Sequence, residues 1–145
     1  ADLIDVELSA GEAAVRQLVA AAHANGVKVI ASNHNFSNTP QKAEIIQRLF
    51  RMQELGADLL KIAVMPQSSA DVLTLLSATE QMCSELAKRP VITMAMGAAG
   101  VISRVCGETF GSAVTFAAVG KTSAPGQMQV EELAQILSAL HHCMG

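Results

Sequence analysis

A chain of 145 residues, half of them apolar and 16% charged, can bury a sizeable core in one globular domain, which argues against disorder. A formal net charge of -3, 3% aromatic residues and no Trp or Tyr leave no basic stripe for a phosphate backbone and little to stack on bases, so nucleic acid is not expected as a partner. Charges or Gly break every apolar run well before the roughly 18 residues of a membrane span, and Cys83, Cys106 and Cys143 lie far apart with no metal-ligand spacing; a soluble protein of a reducing cytoplasmic compartment is the expectation.

The chain opens on "ADLIDVEL", almost directly on a strand over Leu3-Leu8, with no Met, cap or lead-in, so it reads as entered in mid-fold. A helical pattern over 11-25 follows, and Gly26 sits where the residue past a helix belongs. The second strand, Lys28-Asn33, leads to a helix over 40-55 with Thr39 as N-cap and Pro40 in the first turn, closed by Gly56. Next come a strand over Leu59-Met65, a helix over 69-88 opened by Ser69 and Asp71, and a strand over Val91-Met96. A helix over 99-108, a fifth strand over Ala113-Val119 and a helix over 129-143 complete the chain.

Strands that recur at the length of one βα unit, and that read as continuous rather than alternating apolar runs, predict a parallel α/β sheet buried on both faces. No linker or composition shift divides residues 1-145, so a single α/β domain is expected. Five βα units fit a doubly wound open sheet or part of an eight-stranded barrel, and a complete barrel takes about 250 residues. The first turn, "DVELSAGE", has one Gly and no dinucleotide fingerprint, and Asp5 with Glu7 only half supplies a receiver-type acidic cluster.

In parallel α/β proteins reactive groups gather at the carboxyl ends of the strands. There the sequence places Glu7, then Asn33, His34 and Asn35, then Lys61, Thr93, Arg104, Ser123 and Gln127. Lys61 interrupts the apolar run "DLLKIAVMP". Burial favours the neutral, nucleophilic amine, which forms Schiff bases with ketones. A structural ion pair with Asp58 or Glu7, or a stem that snorkels to a barrel mouth, explains the same position. His34 tops the neighbouring strand, where it can exchange protons or be a satisfied structural histidine. Arg104 can grip a carboxylate or form a surface salt bridge. Ser123 and Gln127, in "GKTSAPGQM", can bind a polyol or cap the last helix. His23, His141 and His142 have no acidic partner at ligand spacing, and no metal site is expected.

The segments "DLIDVEL", "VIASNHNFSNTP", "MQELGADLLKIAVMPQSSADVLTLL", "RPVITMAMGAAGVISR" and "GSAVTFAAVGKTSAPGQ" together closely resemble type I 3-dehydroquinate dehydratase, the class I aldolase-like (β/α)8 enzyme of the shikimate pathway. The resemblance implies that these five βα units correspond to strands four to eight of a TIM barrel. It implies Lys61 as Schiff-base lysine, His34 as general acid/base, and Arg104, Ser123 and Gln127 as groups that bind the substrate's carboxylate and hydroxyls, with Glu7 in support. The implied reaction is dehydration of 3-dehydroquinate to 3-dehydroshikimate with no metal or separate cofactor. The implied partners are the substrate and either a second copy in a homodimer or the N-terminal part of the barrel. The family's first strands, with a glutamate that orients the catalytic histidine, have no counterpart in this sequence. Asn35 stands where the family usually has Asp, and Gly97-Ala98-Ala99 where a loop Lys or Thr is common. A catalytically inactive barrel fragment that serves as a binding or assembly domain is the alternative.

Overall fold

A computed structural model describes residues 1–145. Four of the five apolar runs form strands: β1 (Leu3–Glu7), β2 (Lys28–His34), β3 (Leu59–Val64) and β4 (Val91–Ala95). They pair in parallel in the order β1-β2-β3-β4. Three helices alternate with them, α1 (Glu12–Ala24), α2 (Lys42–Glu54) and α3 (Ser69–Gln81). Two single turns, α4 (Gly97–Gly100) and α5 (Gly107–Phe110), and a final helix, α6 (Val130–Cys143), follow β4.

The register separates the sheet's two faces. Partners across parallel strands point the same way, so Ile4 and Val6 share a face with Val29 and Ala31, with Leu60, Ile62 and Val64, and with Val91 and Ala95. The helices lie against this face. Val15 and Val19 of α1, Ile45, Leu49 and Met52 of α2, and Val72, Leu75 and Ala78 of α3 are buried over it. Their three- and four-residue spacing is the apolar stripe of an amphipathic helix, and each Val, Ile, Leu or Met in it contributes about 1.5–3 kcal/mol by burial.

The opposite face, with Asp5, Glu7, Ser32, His34, Lys61 and Ala63, carries no helix. A doubly wound sheet reverses its strand order and covers both faces, whereas successive neighbouring βα units of one hand put every helix on one side, as in a barrel wall. The expected burial on both faces is therefore corrected. The inner face is closed only in part, over Ala63, Ile92, Met94 and Met96, by Phe116 from the segment after α5.

Other differences from the sequence reading have local causes. Residues 113–119 do not form a fifth strand. Ala113 N–H donates to Val91 O at 2.8 Å, then the run departs from β4, and Ala118 exchanges bonds with Met128 and Val130 instead. Because the run leaves β4 after Ala113, it holds isolated bridges in place of a ladder. Helix α2 starts at Lys42 because Gln41 supplies the first helical carbonyl; the Thr39 hydroxyl is buried without a partner and caps nothing. Ser68, one residue before the expected position, caps α3 by accepting from Asp71 N–H at 3.3 Å. The third helix continues to Leu86 only as a wider π turn. The helix expected over 99–108 is broken into α4, a 3-10 turn over Val101–Arg104, and α5. Gly26 and Gly56 do follow α1 and α2, with φ of 69° and 92°. No helix is long and apolar enough to cross a membrane.

Candidate active site

Alternation along β3 sends Lys61 to the helix-free face, between the buried outward neighbours Leu60 and Ile62. Its side chain is 13% exposed. The ammonium donates to Asp5 Oδ2 at 3.1 Å and lies 4.9 Å from the centroid of the Phe116 ring. Neither Asp58 nor Glu7 is its partner. Asp58 immediately precedes β3 at the other end of the sheet, where His23 Nε2 at 2.7 Å, Val29 N–H at 2.8 Å and Lys28 at 3.6 Å surround it. Burial pushes the Asp58 carboxyl up, but the His23 and Val29 bonds and the Lys28 charge outweigh it and hold the group below its usual range. His23 and His141 therefore do have acidic partners, Asp58 and Glu108, though neither pair reaches the inner face.

His34 ends β2 on the same face as Lys61, and β3 lies beside it. Its Nδ1 meets Glu7 Oε2 at 2.7 Å, so Nε2 is the nitrogen left for other contacts. The other Glu7 oxygen accepts from Asn33 Nδ2 at 3.3 Å, and Arg48 of α2 donates to Asn33 Oδ1 at 2.8 Å. Glu7, which the resemblance gave a supporting role, thus meets His34 from within this chain. Phe36 stacks on the imidazole, with centroids 5.8 Å apart and planes 10° from parallel.

Arg104 ends the 3-10 turn and is 2% exposed, which excludes the surface salt bridge. Nη2 donates to Pro125 O at 3.1 Å, Nη1 faces Met94 Sδ at 3.9 Å, and Nε has no partner. Burial pushes the guanidinium pKa down. A buried cation with a free donor and no protein carboxylate can receive an anion. Ser123 does not cap α6, whose N-cap residue Gln129 makes no side-chain capping bond and donates its amide to Gly120 O at 2.9 Å instead. Ser123 N–H and Oγ donate instead to Gln127 Oε1, at 2.7 and 3.1 Å. Gly97 N–H donates to Pro125 O at 3.1 Å, which ties this loop to the turn after β4. At Gly126, with φ 79°, a Cβ would stand 2.7 Å from Gly97 O, so only glycine permits that approach.

Lys61, His34, Arg104, Ser123 and Gln127 line one cavity of about 210 Å³, with Met94, Met96 and Phe116 as its apolar wall. Four strand-end candidates fall outside its lining, and Glu7 is one of them, reaching it only through His34. Thr93 faces the helices and bonds Thr79 Oγ1 at 2.7 Å. Asn35 shapes the following turn, accepting from Ser37 and Asn38 N–H. Asn33 touches the site only through Glu7. A larger hollow of about 300 Å³ beside α5 and α6 shares Arg104 but has neither lysine nor histidine in its lining.

Asp5, Ser32 and Phe116 were missed as site residues. Asp5 and Glu7 stand two apart in an apolar strand, and that parity was the available signal that both face one side.

Residues 1–144 match the type I 3-dehydroquinase family. The chain is 59% identical over 140 residues to the 3-dehydroquinate dehydratase of Clostridioides difficile (strain 630), covering 97% of this chain and 55% of that protein. It is 56% identical over 143 residues to the enzyme of that name from Clostridium novyi (strain NT), covering 99% and 56%. Among solved structures, the type I 3-dehydroquinate dehydratase from Clostridium difficile with covalently modified comenic acid superposes with a TM-score of 0.94 at 58% identity, over 98% of this chain and 56% of that one. The Geobacillus kaustophilus 3-dehydroquinate dehydratase gives 0.93 at 43% identity, over 97% and 54%. This chain spans about half the length of the curated relatives it matches. Matched from end to end in sequence and in backbone, it belongs to the type I 3-dehydroquinase family.

Proposed function

We propose that the protein is a hydro-lyase that dehydrates 3-dehydroquinate to 3-dehydroshikimate through an imine on Lys61. The observation that carries this reading is one cavity holding an amine, an imidazole and a buried guanidinium with no carboxylate partner. In that reaction Lys61 condenses with the C3 ketone, and the iminium withdraws electrons from C2. His34, held at Nδ1 by Glu7, takes the C2 proton at Nε2. The electron pair left at C2 expels the C1 hydroxyl, which leaves as water with a proton from the imidazolium. Hydrolysis of the imine frees the product. Arg104 pairs with the substrate carboxylate, and Ser123 and Gln127 bond its hydroxyls. The covalently modified ligand described for the Clostridium difficile structure accords with an amine nucleophile on this fold.

The free edge of β1 suits pairing with further strands of a barrel or with a second chain, and the working form in this reading is a dimer in the cytoplasm. That same open edge favours the second reading, a scaffold that binds or assembles without turnover. Turnover decides between them, followed by the absorbance of the conjugated enone product. Lys61→Ala abolishes it, and His34→Ala lowers it by about 10²–10⁴-fold while leaving imine formation possible. Undiminished turnover in Lys61→Ala would contradict the proposal.

A further inference from the structure

We infer that Asp5 is a catalytic residue, the proton carrier for imine formation at Lys61. The inference rests on the imine reading of Lys61 given above. An ammonium has no lone pair, so before attack Lys61 must give a proton to a base in contact with it. Asp5 is the carboxylate at ion-pair distance from Nζ. Glu7 is engaged by His34 and Asn33, and Asp58 lies at the opposite end of β3.

The carboxylate is held for this task. Ser32, 1% exposed and flanked by Glu7 and Lys61 across the sheet, donates its hydroxyl to Asp5 Oδ1. That bond turns Oδ2 toward the amine. On the other side the Phe116 ring faces the cation.

The steps balance without an outside reagent. Nζ passes a proton to Asp5 Oδ2, which yields a neutral amine and a carboxylic acid. The amine attacks the substrate's ketone carbon, and a proton moves from nitrogen to the new alkoxide, giving a carbinolamine. Asp5 returns its proton to the carbinolamine hydroxyl, which leaves as water while the nitrogen lone pair closes the C=N bond. The carboxylate is regenerated beside the iminium cation, where the two charges attract.

A purely anchoring ion pair makes a different prediction. Asp5→Asn keeps the shape and an acceptor but cannot carry a proton. Taking a carboxylate from beside an ammonium favours the free amine, so an anchor alone predicts adduct formation no slower than before. The test is the rate at which 3-dehydroquinate with borohydride labels Lys61, followed by peptide mass across about pH 6 to 9. We expect Asp5→Asn to slow labelling by about 10²–10⁴-fold, Asp5→Glu to recover part of the rate, and Ser32→Ala to slow it by about tenfold with a native thermal transition. Labelling of Asp5→Asn or Ser32→Ala at the unsubstituted rate overturns the proposal and leaves the imine reading standing. No label on the unsubstituted protein overturns both.

Discussion

Arg104 is a guanidinium bonded to one backbone carbonyl, facing a thioether, and with Nε unpartnered. Such a group favours an anionic ligand, and a charged hydrogen bond contributes about 1.5–3 kcal/mol, or about 10–100-fold in binding. Arg104→Lys keeps a charge but loses the planar fork. It is expected to raise KM for 3-dehydroquinate by about that factor with a smaller change in kcat. Steady-state kinetics check this, and an unchanged KM would remove Arg104 from the carboxylate site. Lys61, His34 and Arg104 were legible in the sequence because each is a polar group where the pattern demands an apolar or exposed one. Their partners were not. Asp58 is near Lys61 in the chain yet points to the other end of the sheet, whereas Asp5, 56 residues away, meets it. Which carboxylate faces which amine depends on strand register, and register is a property of the assembled sheet.

Among the elements, the four strands and the four long helices α1, α2, α3 and α6 were readable from continuous apolar runs and helical stripes. The run at 113–119 has the same composition but not the structure, because a strand exists only where a neighbour completes its hydrogen bonds. Thr93 stood at a strand end in sequence, and only the pleat decides that it serves the helix interface through Thr79. The start of β3 is fixed by Asp58, whose carboxylate links α1 through His23 to β2 through Val29 N–H. Because its folded pKa lies below its unfolded value, it contributes stability that is fully present above the unfolded pKa and lost as pH falls through the folded one. Asp58→Asn is therefore expected to be less stable than the unsubstituted protein at pH 7, with the gap narrowing below about pH 4. Urea unfolding at both pH values measures this, and a gap that widens in acid would contradict it.

For the molecule as a whole, length alone favoured an open doubly wound sheet, whereas the missing phosphate loop and the family resemblance pointed to strands four to eight of a barrel. Strand order and the one-sided placement of α1, α2 and α3 decide for the barrel wall. That wall brings Lys61, His34 and Glu7 to one concave face, and the loop of Ser123 and Gln127 folds over it through Gly97 and Gly126. Whether Lys61 forms an imine in this cavity is read from the mass of the Lys61 peptide after borohydride reduction in the presence of 3-dehydroquinate. An imine-forming Lys61 gains a substrate- or product-sized addition while every other lysine stays unmodified; a folded protein with no addition at Lys61 has no such amine.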